Sequence, residues 1–317
     1  QDIYPINFWP AEEADRLALW NACKDIFGHW IAQGVRIFRV DNPHTKPFAF
    51  WAWLIAEVQA QHPDVLFLAE AFTRPKVMAK LAEVGFSQSY TYFTWRTEQH
   101  GEEGFIAYLE ELAQGPKADF MRPNFWPNTP DILGGPLRHG SPNAFRMRLV
   151  LAATMTPAYG IYSGYELCEN EPFSELNEEY LESEKYEIKH RNWEAIESLA
   201  PFIHLINDIR RRHPSLHRLR NLRFHGSANP NVICYSKTSD DGGDVILVVC
   251  TLDADTVQET TLDLDLDVLA LPADRPYEAY DELTRQAFTW WGATPYVKLE
   301  PWQTPAHILH LRAVGGR

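Results

Sequence analysis

Gly34-Val-Arg-Ile-Phe-Arg39-Val-Asp41-Asn-Pro-His44 is a short apolar segment that ends in charge. Read as a strand, it sends Val35, Ile37, Arg39 and Asp41 to one side and Phe38 and Val40 to the other, because side chains alternate along an extended chain. A guanidinium and a carboxylate thus arrive together at the carboxyl end of what reads as a buried strand. The Asn42-Pro43-His44 turn then leads the chain away. In α/β barrels that end of a strand carries the chemistry. A structural ion pair that caps the strand is the plainer alternative, and this stretch alone leaves both open.

Working outward, the strand is the first of a series. Apolar residues at helical spacing precede it (Leu17, Leu19, Trp20, Cys23, Ile26, Phe27, Trp30, Ile31) and predict a helix over 11–33 that Gly34 stops. A helix with proline in its first turn is expected from Pro47 to Gln61. Val65–Glu70 reads as a second buried strand ending in a carboxylate, and a helix from Pro75 to Val84 follows. Strands are expected over Phe86–Phe93, Phe120–Trp126 and Pro157–Tyr162. Helices are expected over 102–114, 143–155 and Trp193–Arg212, with an acidic irregular loop from Gly164 to Asn192. Alternation of this kind argues for parallel strands with crossover helices. Five strands are too few to close an eight-stranded barrel, so strands before residue 1 are expected.

After His213-Pro-Ser215 the pattern changes to short period-2 segments: Val232–Lys237, Val245–Leu252, Gln258–Leu266, Tyr277–Tyr280, Tyr296–Leu299 and Ala306–Leu311. The predicted fold is α/β: residues 1–215 as part of a (β/α)8 barrel, about its strands 4–8, and 216–317 as an antiparallel β-sandwich. Asp263, Asp265 and Asp267 alternate with leucines and read as a wet face rather than a calcium loop. His213 and His217 read as surface residues, since Pro214 breaks the helical face between them.

Composition narrows the partners. The chain has 317 residues, is 45% hydrophobic and carries a formal charge of −14. That charge disfavours nucleic acid and anionic membranes. Cys23, Cys168, Cys234 and Cys250 make no paired spacing, so reduced cytoplasmic thiols are expected rather than a disulfide framework or a zinc site. No apolar run reaches spanning length. The N-terminus, without Met or a signal pattern, reads as an interior cut in a longer chain. No P-loop, GxGxxG, HExxH or nucleophile elbow is present.

The carboxylates carry the functional expectation. Asp41 and Glu70 end adjacent parallel strands, which lie about 4.8 Å apart. Two carboxyl groups placed so can reach the roughly 5–5.5 Å separation of retaining glycosidases, one as nucleophile and the other as acid/base. Arg39 would hold Asp41 ionised, and the less polar surroundings of Glu70 would suit an acid. Asp131, after the fourth strand, is a third carboxylate at the same rim. One such acid reads readily as a cap; three at strand ends weaken that reading.

These segments resemble the α-amylase superfamily. Gly34–His44 looks like its second signature region, Phe67-Leu-Ala-Glu70 its third, Asn128-Thr-Pro-Asp131 its fourth, and Gly160-Ile-Tyr-Ser-Gly-Tyr-Glu166 the end of the last barrel strand. Within the superfamily the chain resembles the α-1,4-glucan:maltose-1-phosphate maltosyltransferases. Gln1-Asp-Ile-Tyr-Pro-Ile-Asn7, Arg39–Pro47, Ala69–Pro75, Asn124–Asp131, Ser183-Glu-Lys-Tyr186 and Pro305-Ala-His-Ile308 carry that likeness nearly end to end.

The resemblance implies a retaining double displacement, with Asp41 as nucleophile, Glu70 as acid/base and Asp131 holding sugar hydroxyls. It implies substrate contacts from Arg39, Asn42, His44, Tyr4, Lys185 and Tyr186. It implies maltose 1-phosphate and α-1,4-glucan as substrates, no metal or organic cofactor, a cytoplasmic setting and a homodimer in the full-length protein. Pro130 stands where hydrolytic amylases usually have histidine, which favours transfer. The alternatives are another retaining enzyme of the superfamily, such as a hydrolase or trehalose synthase, or an inactive glucan-binding module.

Overall fold

Strand and helix alternate through the first part of the chain because each strand has one apolar face that needs a helix over it. The structure, a computed structural model, describes residues 6–184 and 188–313. The chain divides into two compact units, one of residues 1–91 with 117–123, the other of 92–116 with 124–317.

The first unit runs α1 (Glu13–Ala32), β1 (Ile37–Asp41), α2 (Phe48–Gln61), β2 (Leu66–Glu70), α3 (Pro75–Glu83) and β3 (Gln88–Tyr90). β1 pairs parallel with β2, Asp41 opposite Glu70, and β2 pairs parallel with β3, Ala69 opposite Ser89. Helix α2 supplies Phe50, Trp51, Leu54, Ile55 and Val58 to a core shared with Val65, Phe67, Ala69, Leu81 and Phe86. Phe38 and Val40 pack against this core from β1. The opposite face of β1 is open, with Ile37, Arg39 and Asp41 all exposed, so the first strand is not buried as expected. Nor does α1 bury all its apolar positions. Trp20 and Ile31 are buried, whereas Leu17, Ile26 and Trp30 face solvent.

The third strand is shorter than its Tyr- and Phe-rich sequence predicts. It ends at Tyr90, and the chain then tightens into a 3-10 turn over Tyr92–Trp95. The predicted fourth strand shrinks to β4 (Pro123–Asn124), where proline offers no donor. The Pro157–Tyr162 strand reduces to a single parallel bridge between Phe125 and Tyr159. Gly160 stands there because a Cβ would lie 2.3 Å from Cζ2 of Trp126.

In the second unit α4 (Phe105–Ala113), α5 (Pro142–Met155) and α6 (Ala200–Arg212) precede an eight-stranded antiparallel sheet. Helix α6 starts seven residues later than predicted, where Pro201 sits in its first turn. The strands are β5 (Leu222–Ser227), β6 (Val232–Thr238), β7 (Val245–Thr251), β8 (Gln258–Asp263), β9 (Tyr277–Asp281), β10 (Ala287–Trp290), β11 (Tyr296–Leu299) and β12 (Ala306–Ala313). Their order is β10-β9-β12-β7-β6-β5-β8-β11. β5 and β10 were not anticipated.

β6 and β7 are buried on both faces. Ile233, Tyr235, Ile246, Val248 and Cys250 join α5 and α6 in one core. Val232, Cys234, Leu247 and Val249 face Leu262, Leu264, Val297 and Leu299 of the returning β8–β11 flap. β5 makes the fold-over, pairing with β6 through His225 and with β8 from Gly226. Gly226 fits because a side chain there would meet Asp263 Cβ at 2.9 Å. The alternation of leucine inside and aspartate outside along 262–267 holds.

Candidate active site

Three parallel strand ends in the first unit gather a charged cluster. Arg39 is its hub: Nη1 lies 3.5 Å from Asp41 Oδ2 and Nη2 lies 3.5 Å from Glu70 Oε1. The two carboxylates differ in exposure. The Glu70 side chain is 7% exposed and that of Asp41 68%, so one acid is inside the sheet and the other opens to solvent. The register Asp41↔Glu70 puts both on the same face, as the alternation requires.

The turn after β1 is built around this pair. Asn42 adopts the left-handed conformation, with φ of 44°, which asparagine tolerates better than other side-chain-bearing residues. Its N–H donates to the Glu70 carbonyl at 2.9 Å and reaches the Glu70 carboxylate Oε2 at 3.4 Å. Trp51 Nε1 donates to the Pro43 carbonyl at 2.9 Å and Thr45 Oγ1 to that of Asn42 at 2.8 Å, which fix the turn on α2. His44 follows, its Nδ1 buried without a hydrogen-bond partner among the described residues.

Tyr90 is a residue that the sequence reading missed. It ends β3 as Asp41 ends β1 and Glu70 ends β2. Burial raises its hydroxyl above the usual phenol range, the Arg39 guanidinium opposes that rise, and the Glu70 carboxylate adds to it. The same strand-tip rule that finds the two acids would have found this tyrosine, had β3 not been expected to run on to Phe93.

Asp131 belongs to the second unit. It sits in a turn closed by Thr129 and Ile132, and its N–H donates to Thr129 Oγ1 at 3.2 Å. Asn128, 1% exposed, anchors that turn. Its Nδ2 donates to the Tyr180 hydroxyl at 2.7 Å, and its Oδ1 accepts from the Tyr162 N–H at 3.0 Å. Burial pushes the Tyr180 hydroxyl up, so it stays a neutral phenol. The acidic loop is held in the same unit by Arg191, which bonds Glu169 through Nε at 2.8 Å and Nη2 at 3.1 Å and Glu184 through Nη1. Tyr4, Lys185 and Tyr186 lie outside the described residues.

With this geometry in view, comparison with known proteins identifies the chain's relatives. The family profile described as "GLGE, C-terminal" matches residues 224–311. An α-1,4-glucan:maltose-1-phosphate maltosyltransferase 2 of Streptomyces coelicolor is 54% identical over 98% of this chain and 46% of its own length. The protein of that name from Mycolicibacterium smegmatis is 47% identical over 98% of this chain and 44% of its own. Among solved structures, an Anoxybacillus α-amylase superposes with a TM-score of 0.70 at 14% identity, over 96% of this chain and 65% of that one. The last likeness shows the fold: the C-terminal part of an α-amylase-type barrel followed by its antiparallel β domain. The chain spans about half the length of the curated relatives it matches. At 47–54% identity along almost its whole length, the chain is similar to about half of each of these α-1,4-glucan:maltose-1-phosphate maltosyltransferases.

Proposed function

We propose that the protein carrying this chain moves maltosyl units from α-maltose 1-phosphate to the non-reducing ends of α-1,4-glucans and releases phosphate. The relatives' shared name supports the reaction. The observation that carries the assignment of residues is the pairing of an open and a buried carboxylate across one register position, bridged by Arg39.

In this reading Asp41, the open acid, attacks the anomeric carbon. The bond from that carbon to the phosphate oxygen breaks as Glu70 supplies a proton to the leaving group, and a β-linked maltosyl ester forms on Asp41. The glucan 4-hydroxyl then attacks the anomeric carbon of the ester while Glu70 takes its proton; the bond from that carbon to the Asp41 oxygen breaks, which frees the carboxylate and restores the α configuration. Arg39 orients both carboxylates, and Tyr90 at the tip of β3 lies within reach of its charge. Asn42 and His44 offer polar contacts to the donor, and Asp131 holds sugar hydroxyls. Tyr4, Lys185 and Tyr186 complete the substrate contacts. The four thiols are all free, which suits a cytoplasmic setting. Among the described residues no helix is long and apolar enough to cross a membrane. A homodimer of the full-length protein, part of the same proposal, is read by light scattering during size exclusion.

The reaction is tested by incubating the full-length protein with maltose 1-phosphate and a short malto-oligosaccharide. Phosphate should appear as the acceptor lengthens by two glucose units at a time. Free maltose alone, or growth without phosphate release, would refute transfer and point to a hydrolase or a trehalose synthase.

A further inference from the structure

His213 was expected at the surface, yet it is 5% exposed. It follows α6 and meets two strands of the second unit's sheet. Its Nδ1 lies 2.7 Å from Asp244 Oδ1. A carboxylate oxygen accepts, so Nδ1 carries the hydrogen and Nε2 of the neutral ring holds a lone pair. That nitrogen is buried and has no hydrogen-bond partner among the described residues. It points toward Glu282 Oε1 at 3.3 Å. A lone pair facing a carboxylate in a buried site calls for a positive centre between them.

A proton is one such centre, but it needs only two partners and the site has three. The nearest ligand atoms of His213, Glu282 and His310 lie within 4.8 Å of one another. The two imidazole rings meet edge to face, centroids 4.9 Å apart. The outer contacts are those a metal site uses. Asp244 orients His213 through Nδ1 and is itself fixed by the Ser215 N–H at 3.0 Å. Arg212 Nη1 holds the other Glu282 oxygen at 2.8 Å and leaves Oε1 available. A carboxylate behind a ligating histidine is a frequent outer-shell arrangement. The 3.3 Å between Nε2 and Oε1 also matches the edge of a tetrahedron with bonds of about 2.0–2.1 Å.

The geometry points to a binding site for one divalent transition metal, of the zinc class, formed by His213, Glu282 and His310 and distinct from the sugar-phosphate chemistry. Two imidazoles and a carboxylate suit zinc, with water in the fourth position. His310 would bind through Nε2. Its Nδ1 now accepts from the exposed Arg312, 2.9 Å away, and that side chain swings clear as Nδ1 takes the hydrogen. The metal would tie the end of α6 to the end of β9 and the middle of β12. This inference does not rest on the proposed transfer reaction.

The test is zinc titration of the chelator-stripped full chain against a chromophoric chelator, with Co2+ absorption as a second reading. One zinc per chain with sub-micromolar affinity is expected, and Co2+ should give the intense visible bands of a tetrahedral N/O site. His310→Ala, at a half-buried position, and Glu282→Gln should each weaken zinc about 100-fold, and Asp244→Asn about 10-fold to 100-fold. The wild-type cobalt spectrum decides the matter if the buried variants fail to fold. Absence of zinc binding at micromolar concentration, weak octahedral cobalt bands, or folded variants that bind as the wild type does would overturn the site and leave a protonated His213 between its two acids.

Discussion

At the scale of single residues, Arg39 has the largest predicted effect. It pairs with both carboxylates from one strand position, and its charge lowers the Tyr90 phenol against the effect of burial. A methionine there keeps the bulk and removes the fork, so Arg39→Met should lower kcat at least about 100-fold, while Tyr90→Phe should lower it by only about 10-fold. A steady-state assay of phosphate release separates the two. A second residue sets a pH dependence. Burial holds His225 well below the usual imidazole range, at about 4, against the pull of Asp265 and Asp263. The unfolded chain therefore takes up this proton first as pH falls. Stability present above about pH 6.5 should decline progressively toward pH 4, by on the order of 3 kcal/mol. Burial lowers His310 as well and adds with the same sign. Urea midpoints at pH 7.5 and 4.5 should differ less in His225→Asn than in the wild type; equal differences would contradict this account.

At the scale of elements, the sequence made the strand tips readable because apolar alternation ends abruptly in charge at Asp41 and Glu70. Tyr90 escaped because aromatic residues continue past it, and neither period nor polarity marks where β3 stops. His213 was misread for a different reason. Pro214 breaks the local helix, but burial is decided by Asp244 and Glu282, which are remote in sequence. Where the fifth strand was expected only one parallel bridge forms, and the Trp126 ring lies close over Gly160. Gly160→Ala should cost about 1–3 kcal/mol through overpacking, since an aromatic ring cannot yield as a flexible side chain would. A lowered melting midpoint with altered tryptophan fluorescence would verify it. An unchanged midpoint would mean that the ring moves freely.

At the scale of the whole molecule, the β/α alternation and the change to period-2 strands after residue 215 made the fold class legible. The compact units were not, because they interleave in sequence: residues 117–123 return to the first unit after 92–116 have joined the second. Exposed apolar side chains on the first unit also have a consequence. Ile26 and Trp30 sit one helical turn apart on α1, 61% and 51% exposed. Paired apolar exposure of this kind favours self-association. Ile26→Lys with Trp30→Gln should reduce the light scattering of the 317-residue chain and change its stability by no more than about 0.5 kcal/mol. The central claim is that the exposed acid on β1 bonds to sugar. The most direct measurement is peptide mass spectrometry of the full-length Glu70→Ala variant after reaction with a 2-fluoro maltosyl donor bearing a good leaving group. The predicted result is a maltosyl ester on Asp41; a label on any other residue, or donor turnover with Asp41 unmodified, would contradict it.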